Sequence, residues 1–175
     1  MPLSGTYDVD PVHSTIRFRV HHGGVAFFRG YFEGFEGTLD ATGSEPVLKG
    51  TTKVENISIR TPDFFRGHVL GEEFFDAENY PNITFTSTGW QQSGDDVTIT
   101  GDLTIRDKTN PITATGTVFG PAETHNGPRV ALELESTITR QDFGVSWEAA
   151  PLPNGSPSLA DDVTMEFTLQ LKPRE

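Results

Sequence analysis

Hydrophobic and polar residues alternate along most of the chain. The last such run places Val163, Met165, Phe167, Leu169 and Leu171 between polar neighbours. Because successive side chains of a strand point to opposite faces, this alternation predicts half-buried strands. Comparable runs recur near residues 16–20, 32–39, 48–59, 83–88, 97–105, 113–119 and 130–138. The pattern therefore predicts about eight strands, each with one apolar and one polar face.

Turn signals between these runs favour antiparallel pairing. Ser93-Gly94-Asp95-Asp96 and Asn126-Gly127 suit tight hairpins. Gly101 and Gly116 fall inside strand patterns, where glycine marks a bend, a bulge or the close approach of a ligand. We predict an all-β protein, a single domain over residues 1–175, built as an extended antiparallel eight-stranded barrel. A two-sheet sandwich is the alternative.

Residues 61–70 break the alternation and predict a short helix between early strands. Thr61 suits the N-cap, Pro62 the first helical position, and Gly71 the stop. The apolar residues that share much of one face at helical spacing are Phe64, Phe65 and Val69. Such a helix either caps one end of the barrel or forms an apolar lid over the mouth of a cavity.

A second irregular segment, residues 149–162, contains Pro151, Pro153, Gly155 and Pro157. Long segments without regular structure are uncommon in compact domains and often border a binding site. A mobile spacer is the alternative.

Charge and composition narrow the classes of function. The 175 residues include 25 acidic and 13 basic side chains, for a formal net charge of −12. This balance argues against nucleic acid and anionic membrane surfaces, which require a basic patch. The absence of cysteine excludes disulfides, Cys-ligated metals and a thiol nucleophile. The sequence shows no apolar run of membrane-spanning length and no secretory signal, so we expect a cytoplasmic protein without stable membrane insertion.

The histidines do not predict a metal site or a catalytic site. No two of His13, His21, His22, His68 and His125 have the spacing of paired zinc ligands. Asp10, His13 and Ser14 include the residue types of a hydrolytic triad, but consecutive strand residues point apart and no nucleophile-elbow motif is present. We expect Asp10 and Ser14 to satisfy backbone groups at a strand entry instead. The prediction is a protein with no catalytic residue, no metal and no cofactor.

A barrel rich in aromatic residues suits an apolar guest. The sequence has 13 Phe, and an eight-stranded barrel can hold one small ligand in its interior. We expect small side chains at Thr52, Gly101, Gly116 and Ser136 to leave room for it. Burying roughly 15 carbons at about 0.8 kcal/mol each yields about 12 kcal/mol before ordering costs, enough for micromolar binding without a charged anchor.

Short motifs spread along almost the whole chain resemble those of the YceI-like family. Tyr7–Ser14 with Phe18–His21 is similar to the opening of the family, and Gly30–Phe32 to its G-x-F element. The remaining similar segments are Arg66–Leu70, Phe74–Asp76, Tyr80–Phe85, Gly101–Ile105, Pro111–Ile112 and Arg140–Gly144. Each motif is weak alone, but all of them occur in the family's order.

The resemblance implies a lipocalin-like barrel that binds an isoprenoid, a polyprenyl quinone or a fatty-acid-like lipid, and it implies a homodimer. The wall residues that it predicts are Phe18, Val20, Phe32, Phe35, Phe85, Leu103, Leu132, Leu134, Met165 and Phe167. The mouth residues that it predicts are Phe64, Leu70, Phe74, Phe75, Phe143 and Trp147. For each of these, ordinary core packing is the alternative to ligand contact. His13 and Arg140 are interpreted as structural polar residues.

The function predicted from the sequence is therefore non-enzymatic binding, storage or transport of a long-chain apolar amphiphile. Two alternatives remain. One is an enzyme that acts on a bound isoprenoid, with His13 or His68 as acid or base. The other is a fully packed barrel that serves as a protein-interaction module.

Overall fold

The computed structural model describes residues 3–174, which form ten strands and one α-helix. The strands are β1 (Gly5–Val9), β2 (Thr15–His22), β3 (Ala26–Phe32), β4 (Glu36–Ala41), β5 (Val47–Lys53), β6 (Asn82–Ser93), β7 (Asp96–Ile105), β8 (Lys108–Thr124), β9 (Gly127–Thr139) and β10 (Leu159–Pro173). The helix α1 is Asp63–Leu70, and short 3₁₀ turns occupy Val54–Asn56 and Arg140–Phe143.

Eight of the strands close into an antiparallel barrel. The hydrogen-bonded order runs β1-β4-β5-β6-β7-β8-β9-β10, and β1 pairs with β10 to complete the ring. In that last pair Val9 lies opposite Leu171. The prediction of a closed eight-stranded antiparallel barrel with a short helix between early strands is therefore confirmed.

The hairpin of β2 and β3 extends the wall of the barrel at one end. β2 lies along the first half of β10, with Phe18 opposite Met165. β3 pairs with β2, and its last residue, Phe32, bridges to Ile57 beyond β5. The interruption between β3 and β4 accounts for the irregular spacing of Phe32 and Phe35 in the sequence.

The opposite end of the barrel, which we call the packed end, is filled by side chains. Alternation brings inward residues of all eight ring strands together there, and little of their surface remains accessible. The buried side chains of the packed end are Tyr7, Val9, Phe35, Leu39, Leu48, Trp90, Val97, Ile99, Ala114, Val118, Val130, Leu132, Leu134, Leu169 and Leu171.

The helix lies where the sequence predicts it, but its cap and one of its faces differ from the prediction. Pro62 takes the N-cap position without a side-chain hydrogen bond, so the expected Thr61 cap is wrong. Phe64 points outward and is 81% exposed, whereas Phe65 packs edge-on against Phe28, with ring centroids 5.9 Å apart. One α-helical residue step turns a side chain by about 100°, so adjacent phenylalanines cannot both face the barrel. No helix within residues 3–174 is long and apolar enough to span a bilayer.

Gly101 and Gly116 do not themselves line the interior space, although we expected them to leave room for a ligand. A Cβ on Gly101 would lie 2.6 Å from Cε2 of Phe85, because that ring covers the glycine. A Cβ on Gly116 would lie 2.8 Å from the carbonyl carbon of Glu133. Ser136 is buried and donates its hydroxyl to the Thr113 carbonyl at 2.7 Å. These three positions permit close packing, whereas Thr52, the fourth small residue considered, lines the open space.

Candidate functional site

The other half of the barrel, which we call the hollow end, contains a cavity of about 510 Å³. It lies between the packed end and α1, and its lining is almost entirely apolar. This volume is within the usual range for sites that bind a small molecule. The inward side chains of β10 and β6, such as Met165, Phe167 and Phe85, are only partly buried, since their inner faces meet the cavity instead of each other.

Most of the site residues predicted from the sequence line this cavity. The lining includes Phe18, Val20, Phe32, Phe35, Phe74, Phe75, Phe85, Leu103, Leu134, Phe143, Trp147, Met165 and Phe167. Whether any of these side chains contacts a ligand stays a prediction.

Phe64, Leu70 and Leu132 do not line the cavity. Phe64 faces solvent, and Leu70 packs beside the buried cluster of Ile57, Ile59 and Val69 under α1. Leu132 points inward as its alternation predicts, but it lies in the packed end, where it has no accessible surface. The structure therefore places these three predicted site residues outside the cavity.

The cavity also involves residues that the sequence did not mark as ligand contacts. The main ones are Phe28, Ile57, Ile59, Phe65, His68 and Val69. Helical spacing predicted that Phe65 and Val69 share a face, and strand alternation predicted that Ile57 and Ile59 are apolar strand positions. The sequence pattern therefore marked these four residues as candidates for burial. Phe28 had no such signal, because its position depends on how α1 meets the β2–β3 hairpin. His68 belonged to the Arg66–Leu70 motif and had been considered only as an acid or base of the enzyme alternative.

Aromatic rings pack together at the mouth of the cavity, which we define as the end covered by α1 and the segments 71–76 and 144–148. The His68 ring packs edge-on against Trp147 at a centroid distance of 4.9 Å and against Phe74 at 5.6 Å. Phe74 in turn contacts Phe75 and Trp147 at 6.0 Å each. The helix therefore covers the hollow end and contributes part of its apolar lining.

Arg140 fixes one side of this mouth. The side chain is only 4% exposed. Its Nη1 donates to the carbonyls of Val145 and Trp147 at 2.8 Å each. Its Nε donates to the Ala160 carbonyl at 3.0 Å, and its Nη2 lies 3.2 Å from a carboxylate oxygen of Asp161. Arg140 is therefore a structural residue that ties the segment before β10 to the barrel, as the sequence predicts.

Two further arginines hold the other segments of the mouth through backbone carbonyls. Arg106 Nη1 donates to Phe74 at 3.0 Å and Gly144 at 2.8 Å. Arg66 Nη1 donates to Ile59 at 2.7 Å. Hydrogen bonds from a charged donor are stronger than neutral ones, so these contacts fix segments that have no regular secondary structure.

The triad-like residues lie away from the cavity and serve the backbone. Ser14 Oγ accepts the backbone N–H of Gln170 at 2.9 Å, and Asp10 accepts that of Val12 at 3.0 Å. His13 Nδ1 lies 2.9 Å from the second oxygen of Asp10. The predicted local network at the entry of β2 is confirmed. Within residues 3–174, no group of three or more His, Asp or Glu side chains has the geometry of a metal site.

A closed antiparallel barrel with an apolar cavity beneath a short helix defines a lipocalin-like fold. The YceI-like domain matches residues 7–171, and the chain belongs to that family. Protein YceI of Escherichia coli O17:K52:H18 is 31% identical over 147 residues, which cover 82% of this chain and 77% of that protein.

Solved structures with low sequence identity share the fold. BcnA of Burkholderia cenocepacia superposes with a TM-score of 0.77 at 23% identity, covering 93% of this chain and 98% of that one. A polyisoprenoid binding domain from Saccharophagus degradans, implicated in plant cell wall breakdown, gives a TM-score of 0.72 at 14% identity and covers 96% and 98% of the two chains.

Proposed function

We propose that this protein binds a long-chain apolar amphiphile of the isoprenoid or fatty-acyl type in the hollow end, and stores or transports it. The observation that carries the proposal is the cavity of about 510 Å³ with its almost wholly apolar lining. Membership of the YceI-like family and the fold shared with a polyisoprenoid binding domain support the same ligand class.

The physical driving force is the removal of hydrocarbon from water. Each methylene transferred into such a cavity contributes about 0.8 kcal/mol. The packed end closes the far side of the cavity, so a tail enters from the mouth and ends against Leu134, Ile99 and Leu169. A tail in this orientation leaves its polar head beneath α1.

We also propose that binding involves no chemical conversion of the ligand. The charged side chain that lines the mouth, Arg140, is committed to backbone carbonyls and to Asp161. His13, one of the two histidines considered as an acid or base, lies at the entry of β2 and is paired with Asp10. These contacts leave neither Arg140 nor His13 free to act as an acid or base on the ligand, which supports a carrier.

Organic extraction of freshly purified protein followed by mass spectrometry tests the proposal. We expect a lipid at near-stoichiometric amount that is recovered unchanged after incubation. A chemically altered lipid would favour the enzyme alternative. A protein that is empty as purified and that takes up no isoprenoid or fatty-acyl lipid after delipidation would refute the proposal.

Two tryptophan variants of β8 make the test specific for the cavity. Ile112 lines the cavity, whereas the next residue, Thr113, points outward and is exposed. I112W is expected to fill the hollow end and abolish lipid uptake, and T113W is the matched control that retains uptake. Equal uptake by the two folded variants would contradict binding at this site.

A further inference from the structure

The proposed binding mode raises the question of what receives the polar head of the ligand. With the tail directed toward the packed end, the head must lie among the residues of the mouth. Several polar residues line the cavity. Those on β4, β5 and β6 are either exposed on the strands (Glu36, Lys49, Thr51 and Thr84) or, in the case of Thr52, donate to the Glu33 carbonyl at 3.4 Å. The remaining polar lining residues are His22, His68 and Arg140. His22 is exposed to solvent at the end of β2, so its ring nitrogens can form hydrogen bonds with water.

The arginines of the mouth are not available to an anionic head group. Arg140 is buried, donates to carbonyls and pairs with Asp161. Arg106 and Arg66 do not line the cavity, and they too are engaged by backbone carbonyls. A phosphate or diphosphate placed here would lose its hydration without gaining a charge partner, and burying an unpaired charge is strongly unfavourable.

The acidic residues of the mouth also disfavour a phosphorylated head group. The carboxylate of Glu73 lies 3.7 Å from Nδ1 of His68, and Asp76 lies 3.8 Å from the guanidinium of Arg106. The chain as a whole carries a formal net charge of −12. The net negative charge therefore disfavours a negatively charged head and leaves an uncharged head unaffected.

His68 is the residue with unused hydrogen-bonding capacity. Within residues 3–174, two buried side-chain nitrogens have no hydrogen-bond partner, the Nε2 of His68 and the Nε of Arg106, and of these two residues only His68 lines the cavity. A buried polar atom without a partner costs free energy, so a ligand atom that pairs with it gains affinity.

The ring of Trp147 stands over this imidazole. Its centroid lies 4.9 Å from that of His68, at an interplanar angle of 77°. Trp147 belongs to a segment without regular secondary structure between the 3₁₀ turn at Arg140–Phe143 and β10. Its backbone carbonyl is fixed by Arg140, but that contact leaves the indole side chain able to change rotamer.

We propose that Nε2 of His68 is the hydrogen-bond partner of an uncharged, oxygen-bearing head group, and that the head reaches it by displacing the ring of Trp147. This inference rests on the proposed function. A neutral imidazole presents a donor at one ring nitrogen and an acceptor at the other, so its free nitrogen suits a hydroxyl or a carbonyl, according to the tautomer. The cavity therefore selects isoprenoid alcohols or quinone-like carbonyl compounds over their phosphorylated counterparts.

Three probes with the same tail test this selectivity: geranylgeraniol, the corresponding hydrocarbon without the hydroxyl, and geranylgeranyl diphosphate. Their affinities for delipidated protein are measured by displacement of a neutral fluorescent probe. In the wild type we expect the alcohol to bind about fivefold to tenfold more tightly than the hydrocarbon, as one hydrogen bond provides. We expect the diphosphate to bind more weakly than the alcohol.

The variant H68F removes the nitrogen and keeps a ring against Trp147. We expect the affinity for the hydrocarbon to stay within about twofold of wild type and the preference for the alcohol to disappear. H125F, at the exposed turn between β8 and β9, is the matched control and keeps the preference. If H68F does not fold, H68A supplemented with imidazole replaces it, and added imidazole is expected to restore the preference.

A spectroscopic measurement separates a direct contact from a structural effect. The ¹⁵N resonance of His68 Nε2 is expected to move when the alcohol is added and to stay in place with the hydrocarbon. A preference for the alcohol that persists in H68F, or tighter binding of the diphosphate by wild type, would overturn the inference while the proposed function stands. If none of the three probes binds, the proposed function itself fails.

Discussion

The ring of Phe85 covers Gly101 across the β6–β7 pair. A Cβ on Gly101 would lie 2.6 Å from Cε2 of that ring and 2.6 Å from the Thr86 carbonyl oxygen. Contacts this short do not occur between real atoms, so either the ring or the backbone would have to move. Phe85 lines the cavity, and the missing side chain of Gly101 therefore sets how far an aromatic ring protrudes into the hollow end.

Replacing Gly101 with alanine is expected to destabilise the protein and reduce its capacity for ligand. The added methyl group pushes the ring of Phe85 toward the cavity and presses on the backbone, and overpacking of this kind costs about 1–3 kcal/mol. Urea-induced unfolding measures the change in the free energy of unfolding, and lipid uptake measures the change in capacity.

Gly67 provides the control for this prediction. A Cβ there meets nothing within 4 Å, and the residue lies inside α1, so G67A is expected to stabilise the protein by about 0.5–1 kcal/mol. The double variant F85L/G101A is expected to recover part of the loss, because leucine lacks the overlapping ring atoms. Equal stability of G101A and wild type would contradict the contact between Phe85 and Gly101.

Strand alternation was sufficient to predict the barrel, because inward and outward positions follow directly from a period of two. It could not predict which half of the barrel is hollow. Leu132 and Leu134 are equivalent in the sequence pattern, yet one lies wholly within the packed end and the other reaches the cavity floor. That difference depends on the position of each strand along the barrel axis, which no local pattern encodes.

The residues that shape the mouth were also difficult to read from the sequence. Arg140 and Arg66 belonged to motifs and Arg106 did not, but no motif indicated that Arg66 and Arg106 act through backbone carbonyls of other segments. Every residue carries a carbonyl, so no sequence signal identifies the acceptor. Likewise, Phe64 and Phe65 are identical neighbours, and only the docking of α1 on Phe28 decides which one faces inward.

Removal of the Arg140 side-chain charge is expected to open the mouth. In R140M, the carbonyls of Val145 and Trp147 lose their donor and Asp161 loses its ion-pair partner. We expect a loss of about 3 kcal/mol in the free energy of unfolding, since buried acceptors are left without a partner. R17M changes an exposed arginine of β2 in the same way and is expected to stay within about 0.5 kcal/mol of wild type. Similar unfolding midpoints for R140M and R17M would count against this role.

The neighbouring phenylalanines of α1 are expected to respond differently to truncation. F65A removes a ring that packs against Phe28 and lines the cavity, and we expect it to destabilise the protein by about 2–4 kcal/mol and to weaken ligand binding. F64A removes a ring that is 81% exposed and is expected to change stability by less than about 0.5 kcal/mol. Chemical denaturation of the two variants provides the comparison. A larger loss in F64A than in F65A would mean that the helix docks by its other face.

Acidic pH is expected to weaken the closure between β1 and the C-terminal end of β10. The hydrogen bond from Arg174 lowers the pKa of Asp8, and the positive charge of Arg174 adds to this effect. Because the folded-state pKa is the lower one, the contribution to stability is present above the ordinary pKa of aspartate and is lost as the pH falls through the lowered value. D8N is therefore expected to be slightly less stable than wild type at neutral pH and equal to it once Asp8 is protonated.

Thermal unfolding of D8N and wild type at a series of pH values below neutrality measures this difference. The pair is largely exposed, so the effect is small and is expected to shrink further in high salt. D102N changes an exposed aspartate on the outer face of β7 and serves as the control. Its stability relative to wild type should not change in this way as the pH falls. A difference between D8N and wild type that grows toward acidic pH would contradict the assignment.

Removal of the bound lipid is expected to lower the melting temperature of the protein. A ligand that binds only the folded state at 100 times its Kd stabilises that state by about 2.7 kcal/mol, and for a chain of this size that corresponds to about 5–10 °C. Re-addition of lipid should restore the loss in wild type and in T113W, but not in I112W, whose tryptophan occupies the space of the tail. The I112W protein should also melt at the same temperature whether or not it has been extracted, because it carries no lipid to lose. Scanning calorimetry before and after extraction measures both effects, and a melting temperature of wild type that does not depend on lipid would place the lipid outside the cavity.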